Sequence, residues 1–230
     1  AADARVSSWS LAGKISGNIT GDYILTTYNN SGLTLTGTNT FRTLSLVNGW
    51  TYLSNPWAAG TGTVVFAGGG LGAYSDALTL TNPARATAGT VWIGYANGSL
   101  PVTIANNFDF NGGDHDMRIY NTTTINGNLI NAAGRVLNKY EAGNLVLMGT
   151  NTLSYLYNRG GGGGITLAGD SVTTVSGNVQ GDGGGTTVVT NSAILSSSQM
   201  FLGESNGGGG GNVAQYGGTV TVTAASWNFR

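Results

Sequence analysis

Gly32-Leu33-Thr34-Leu35-Thr36-Gly37-Thr38-Asn39-Thr40-Phe41 is the stretch that decides the fold. Leucine and threonine alternate, glycine and asparagine bracket them, and a large apolar residue closes the block. A strand with one buried face reads in this way, ended by residues that tolerate a left-handed backbone. The block recurs as Gly143-Asn144-Leu145-Val146-Leu147-Met148-Gly149-Thr150-Asn151-Thr152-Leu153. Upstream of both copies lies a shorter unit, Ile15-Ser16-Gly17-Asn18-Ile19 and Ile125-Asn126-Gly127-Asn128-Leu129. A third version of it is Val175-Ser176-Gly177-Asn178-Val179. Glycine-started strands complete the set: Gly62-Thr63-Val64-Val65-Phe66, Gly89-Thr90-Val91-Trp92-Ile93, Gly185-Thr186-Thr187-Val188-Val189 and Gly218-Thr219-Val220-Thr221-Val222.

Internal repeats of short β-branched strands, with no helical apolar stripe anywhere, make the chain all-β. Two topologies compete. Asn-Gly pairs at Asn48, Asn97, Asn111, Asn126 and Asn206 are hairpin signals and favour an antiparallel sandwich. The repeats, however, recur at long spacings rather than in hairpin pairs, and Gly-Asn recurs with them, as stacked corners require. The expectation is a single β-solenoid over residues 1–230, with repeat units near 15–41, 125–153 and 175–222. About ten rungs at about 4.8 Å would make a rod near 50 Å long.

Composition agrees with burial and limits function. Of 230 residues 40 are glycine, 40% are hydrophobic and only 8% are charged. Nine basic and ten acidic residues are scattered singly for a net charge of −1, so no basic stripe serves nucleic acid. No apolar run is long enough for a membrane helix, so no membrane insertion is expected. Cysteine is absent, so burial and backbone hydrogen bonds must hold the chain without disulfides. The opening Ala1-Ala2-Asp3-Ala4 lacks an initiator methionine, as after removal of a secretory leader or in a processed fragment, and the Thr/Ser/Asn-rich surface suits an extracellular protein.

The 32–41 and 143–153 blocks, with their Ile-Ser-Gly-Asn-Ile and Ile-Asn-Gly-Asn-Leu leaders, resemble the passenger-associated (autotransporter-associated) β-strand repeat of bacterial surface proteins. The stretch from Leu202-Gly203-Glu204 to Gly217-Gly218-Thr219-Val220-Thr221-Val222 is similar to another rung type of the same exported proteins. Where that family continues with Ser-Gly-Gly-Thr, this chain has Arg42-Thr43-Leu44-Ser45. The resemblance implies a right-handed parallel β-helix, export, and a role in adhesion or in building extracellular material. It implies no active site.

Candidate sites are few. Asp109, Asp114 and Asp116 form the one acidic cluster, and Asp114 and Asp116 would share a strand face. Such a set could hold a hard cation through oxygen ligands, or it could be a polar turn bonded to its own backbone. With His115 and Arg118 it is also the sole material for lyase or glycosidase chemistry. Catalysis is not expected, nor is a cofactor. Trp50, Tyr52 and Trp57 could form a platform for sugar rings or could fill the core, and Tyr155 and Tyr157 carry the same ambiguity. The runs Gly160–Gly164 and Gly207–Gly211 lack the Lys-Ser/Thr of a phosphate loop, which leaves them as loops, corners or subunit contacts.

Function is therefore expected from the rod itself: a secreted, cell-surface structural or adhesive solenoid. Open strand edges at its ends, marked by Val220, Val222 and Trp227, would join copies end to end into fibres or a layer. A segment of a longer monomeric adhesin and a carbohydrate-binding or carbohydrate-cleaving β-helix are the other readings.

Overall fold

The computed structural model describes residues 3–8, 12–94, 100–159, 161–202, 211–223 and 227–229. Every strand pairing among them is parallel, and each strand pairs with the strand one turn away. The chain is a β-solenoid of about nine turns. Register partners lie 18 residues apart at the tightest turn (Leu33 with Thr51) and 27 at the loosest (Met200 with Trp227).

Three stacks of strands form the walls. The first holds Ala4–Ser8, Ile24–Asn29, Thr43–Asn48, Thr63–Phe66, Ala84–Ala86, Phe108–Asp109 and Leu129–Ile130. Thr150–Leu153 and residues 172–175, 194–197 and 219–222 continue it. The second holds Gly13–Ile15, Leu33–Leu35, Trp50–Leu53, Gly70–Ala73, Thr90–Ile93, His115–Ile119, Val136–Tyr140 and Tyr155–Arg159, then residues 179–181 and 200–202 and Trp227–Phe229. The third holds Leu78–Leu80, Val102–Ile104, Thr123–Ile125, Leu145–Leu147 and Ile165–Leu167, then residues 187–189 and 212–217. Beneath it, a 3₁₀ turn at Pro56–Ala59 packs against Leu78–Leu80. No helix among the described residues is long and apolar enough to cross a membrane.

Alternation in the sequence becomes inside and outside. Leu25, Leu44, Val64, Ala84, Phe108 and Leu129 are successive register partners pointing inward, and all are buried. Large and small residues compensate between rungs. The Ala84–Ala86 rung is thin, and Phe66 below it and Phe108 above it fill the space with ring centroids 5.8 Å apart. Each buried leucine or phenylalanine contributes about 2 kcal/mol by removal from water.

Repeats mark corners rather than a fixed phase of the turn. Ile15–Ile19 leaves the second stack, Ile125–Leu129 runs from the third to the first, and Val175–Val179 from the first to the second. What they share is the Gly-Asn step. The Asn18, Asn128 and Asn144 carboxamide oxygens accept from the next turn's backbone at Thr38, Thr150 and Gly164, at 2.9, 2.8 and 2.8 Å. Asn107 accepts from Asn128 N in the same way at 2.8 Å, so asparagines climb this corner as a ladder. Glycine is required at the same corner, because a Cβ on Gly149 would stand 2.4 Å from the Gly127 carbonyl oxygen.

The hairpin reading of Asn-Gly fails for a visible reason. Asn111 and Gly112 both have positive φ, 50° and 70°, as a tight hairpin turn would need. The turn instead links the first stack to the second, and its flanking strands each pair with neighbouring turns. Asn48-Gly49 and Asn126-Gly127 are corners likewise, while Asn97 and Asn206 lie outside the described residues.

Candidate functional site

On the second stack, residues facing outward form a column in register: Trp50, Gly70, Trp92, Arg118, Tyr140, Arg159 and Asp182. Period-two alternation puts them outside because Thr51, Leu71, Ile93, Ile119, Lys139 and Asn158 beside them are buried. Gly70 leaves a gap in the column that the Trp50 ring covers. A Cβ at Gly70 would lie 2.5 Å from that ring. Trp50 thereby reaches Trp92, two turns on, with centroids 5.8 Å apart and planes at 64°. Tyr120, at the end of the next strand, stands 5.7 Å from Trp50 and 6.5 Å from Trp92. Together with Asn30, Ser31 and Tyr52 these rings line an open cleft of about 400 Å³.

The column continues with charge over ring faces. The Arg118 guanidinium lies 5.7 Å from Trp92 and 5.4 Å from Tyr140, and donates to Glu141 Oε1 at 2.6 Å. Tyr155 and Tyr157 stack at 5.6 Å with planes 19° apart, and Arg159 sits 4.6 Å over Tyr157. Burial, with the neighbouring Tyr155, pushes the Tyr157 hydroxyl above its ordinary pKa against the opposing pull of Arg159.

Trp50 and Tyr52 are brought together as their spacing implied. Trp57 is not with them: it lies on the Pro56–Ala59 turn under the third stack and is 62% exposed. Trp92 and Tyr120, which complete the cleft, were missed by sequence reasoning. Their signal is the turn length, since Trp92 lies two turns beyond Trp50 and only the register puts the pair on one face.

No family model, curated protein or solved structure matches this chain. Its chemistry must be read from its own side chains.

The acidic residues separate. Asp109 is in the first stack, buried, and bonded to Arg85 Nε at 2.8 Å, Asn111 N at 2.7 Å and Asn131 Nδ2 at 2.8 Å. Burial pushes its carboxyl up, but the bonds from Asn131, the Asn111 backbone and Arg85 outweigh it and hold the pKa below the ordinary value. Asp114, just before the second-stack strand His115–Ile119, and Asp116, within it, reach to the next turn, accepting from Val136 N and Asn138 Nδ2 at 2.9 Å each. Among the described residues no three acidic, histidine or cysteine side chains gather as a metal site. His115 points inward, against Phe110 at 4.9 Å, with its ring nitrogens 2.9 and 2.8 Å from the carbonyls of Ala88 and Phe110. The carboxylates and the histidine thus act as staples between turns.

At the axial ends, Ala4, Val6, Ile15 and Ile19 at one end and Val213, Val220 and Val222 at the other pack on the core only in part. Among the described residues Ala4–Ser8 pairs on one flank alone, and so does Trp227–Phe229. The Trp227 side chain and residues 203–210 and 160 lie outside the described residues.

Proposed function

We propose that this chain is a secreted, cell-surface structural and adhesive rod whose turns stack on those of a second copy. The observation that supports the reading is how the outermost described turns pair. Among the described residues those strands pair on one flank, and the inward apolar side chains there are half-buried: Val6 and Ile15 in the first turn, Val220 and Val222 in the last. A strand edge offers N–H and C=O groups ready to pair, and a half-covered core gains from one more turn. The charge-poor wall supports the same reading, because scattered charge gives little repulsion between copies. Bacterial surface repeats, which the 32–41 and 143–153 blocks resemble, supply the setting of export and adhesion.

Negative-stain microscopy with light scattering across a concentration series tests this. Filaments with an axial repeat of one rod, about 45 Å for nine turns, are the expected result. Val220→Lys with Val222→Lys should return single rods. Isolated rods from the unaltered chain at every concentration would sink axial stacking.

A further inference from the structure

The cleft on the second stack is a second, separate feature, and nothing in axial stacking requires it. Trp50, Trp92 and Tyr120 come from three different turns and converge with centroids 5.7 to 6.5 Å apart. Tyr52 is on the same strand as Trp50, and Asn30 and Ser31 come from the preceding corner. Asn48 Nδ2 donates to Asn30 Oδ1 at 3.2 Å, which orients the Asn30 amide and turns Nδ2 into its remaining donor end. The recess therefore combines ring surfaces with hydroxyl and amide groups, and none of its lining residues is charged. Arg118, which lies 5.7 Å from the Trp92 ring, is held at 2.6 Å by Glu141.

We propose that this cleft binds a neutral oligosaccharide. A pyranose has an apolar C–H face, which gains by leaving water for an indole or phenol ring, and an equatorial rim of hydroxyls, which needs amide and hydroxyl partners. Both are present on one wall. The volume of about 400 Å³ accommodates a short glycan segment, and the cleft is open rather than enclosed, as a chain passing through it requires. Lying on the side of the rod, it stays accessible when ends are stacked, so ligand binding and assembly are independently testable.

The test uses the full chain and four neutral hexasaccharides: β-1,4-glucan, β-1,3-glucan, α-1,4-glucan and chitin. Binding is read by tryptophan fluorescence and calorimetry, with oligogalacturonate as the anionic comparison. At least one neutral probe should bind with Kd below about 1 mM. Trp92→Ala should weaken it by about tenfold or more, and Asn30→Ala by a smaller factor of about threefold. Trp57→Ala, remote from the cleft, should leave affinity unchanged. Should Trp92→Ala lower the melting temperature, Trp92→Phe and the corner variant Asn30→Ala carry the comparison in folded protein. The proposal is overturned if no neutral probe binds up to about 10 mM, if Trp92 and Asn30 variants bind as well as the parent, or if oligogalacturonate binds more tightly.

Discussion

Lys139 shows what a single residue can cost inside such a rod. It occupies an inward position of Val136–Tyr140, is fully buried, and donates from Nζ to the Glu141 carbonyl oxygen at 2.6 Å. Burial pulls its pKa down from 10.5 to about 8, against the opposing effect of the Glu141 carboxylate. The folded state therefore resists protonation that the unfolded chain accepts. Between about pH 8 and 10.5 the unfolded chain holds more protons, so stability rises with pH across that window. Below it the full penalty applies, of order 3 kcal/mol. Lys139→Met should be more stable than the parent at pH 7, and thermal melts should show the difference shrinking towards pH 10.5. Parallel melting curves would contradict this account. Corner residues are the other sensitive class. Gly149→Ala drives a Cβ into the Gly127 carbonyl, and Asn128→Ala removes the acceptor for Thr150 N. Losses of about 2 kcal/mol or more and about 1 kcal/mol are expected in denaturant titrations. Asn126→Ala, exposed beside them, should cost much less.

At the scale of strands and corners, much was legible and some was not. Leu33–Leu35 and Leu145–Leu147 are strands as their alternation implied, and the Gly-Asn steps are corners. The side of the rod on which each copy would fall was not legible. Ile15–Ile19 and Ile125–Leu129 are similar segments at different corners, because the asparagine bond and the glycine contact are local to a corner and more than one corner offers them. The Asp109–Asp116 segment illustrates the same limit. Sequence put the carboxylates close along the chain, and the corner at Asn111-Gly112 sends them to different walls. Trp50 and Trp92 are the opposite case, 42 positions apart in sequence and in contact through the absent side chain of Gly70. Gly70→Val should therefore displace Trp50 and blunt the cleft while leaving the inward residue Leu71 buried. Its readout is a red-shifted tryptophan emission with unchanged far-ultraviolet dichroism, and an unshifted spectrum would argue that the Trp50 ring does not depend on the gap.

For the whole molecule, the turn is the unit that can be removed. Thr123 and Leu145 are register partners, so deleting residues 123–144 joins Thr122 to Leu145 at an equivalent position. The shortened chain should fold, with a rod shorter by about 4.8 Å. Deleting half that length should unfold it, since the inward residues of one stack would be handed to another. Dichroism and small-angle scattering distinguish the two. Solenoid behaviour of this kind follows from neighbour-only pairing and needs no assistance from disulfides, which this cysteine-free chain lacks.

Parallel pairing over one turn has a consequence for how the chain acquires its shape. Parallel sheets ordinarily bring distant segments together and form slowly. Here the separation is 18 to 27 residues along the rod, so contact separation is about a tenth of the chain length, in the range of helical proteins. The first turn is the slow event, and each later turn closes a loop of near-constant size onto an existing edge. Ordering can thus advance from one end as the polypeptide emerges, without waiting for the remainder to be synthesised.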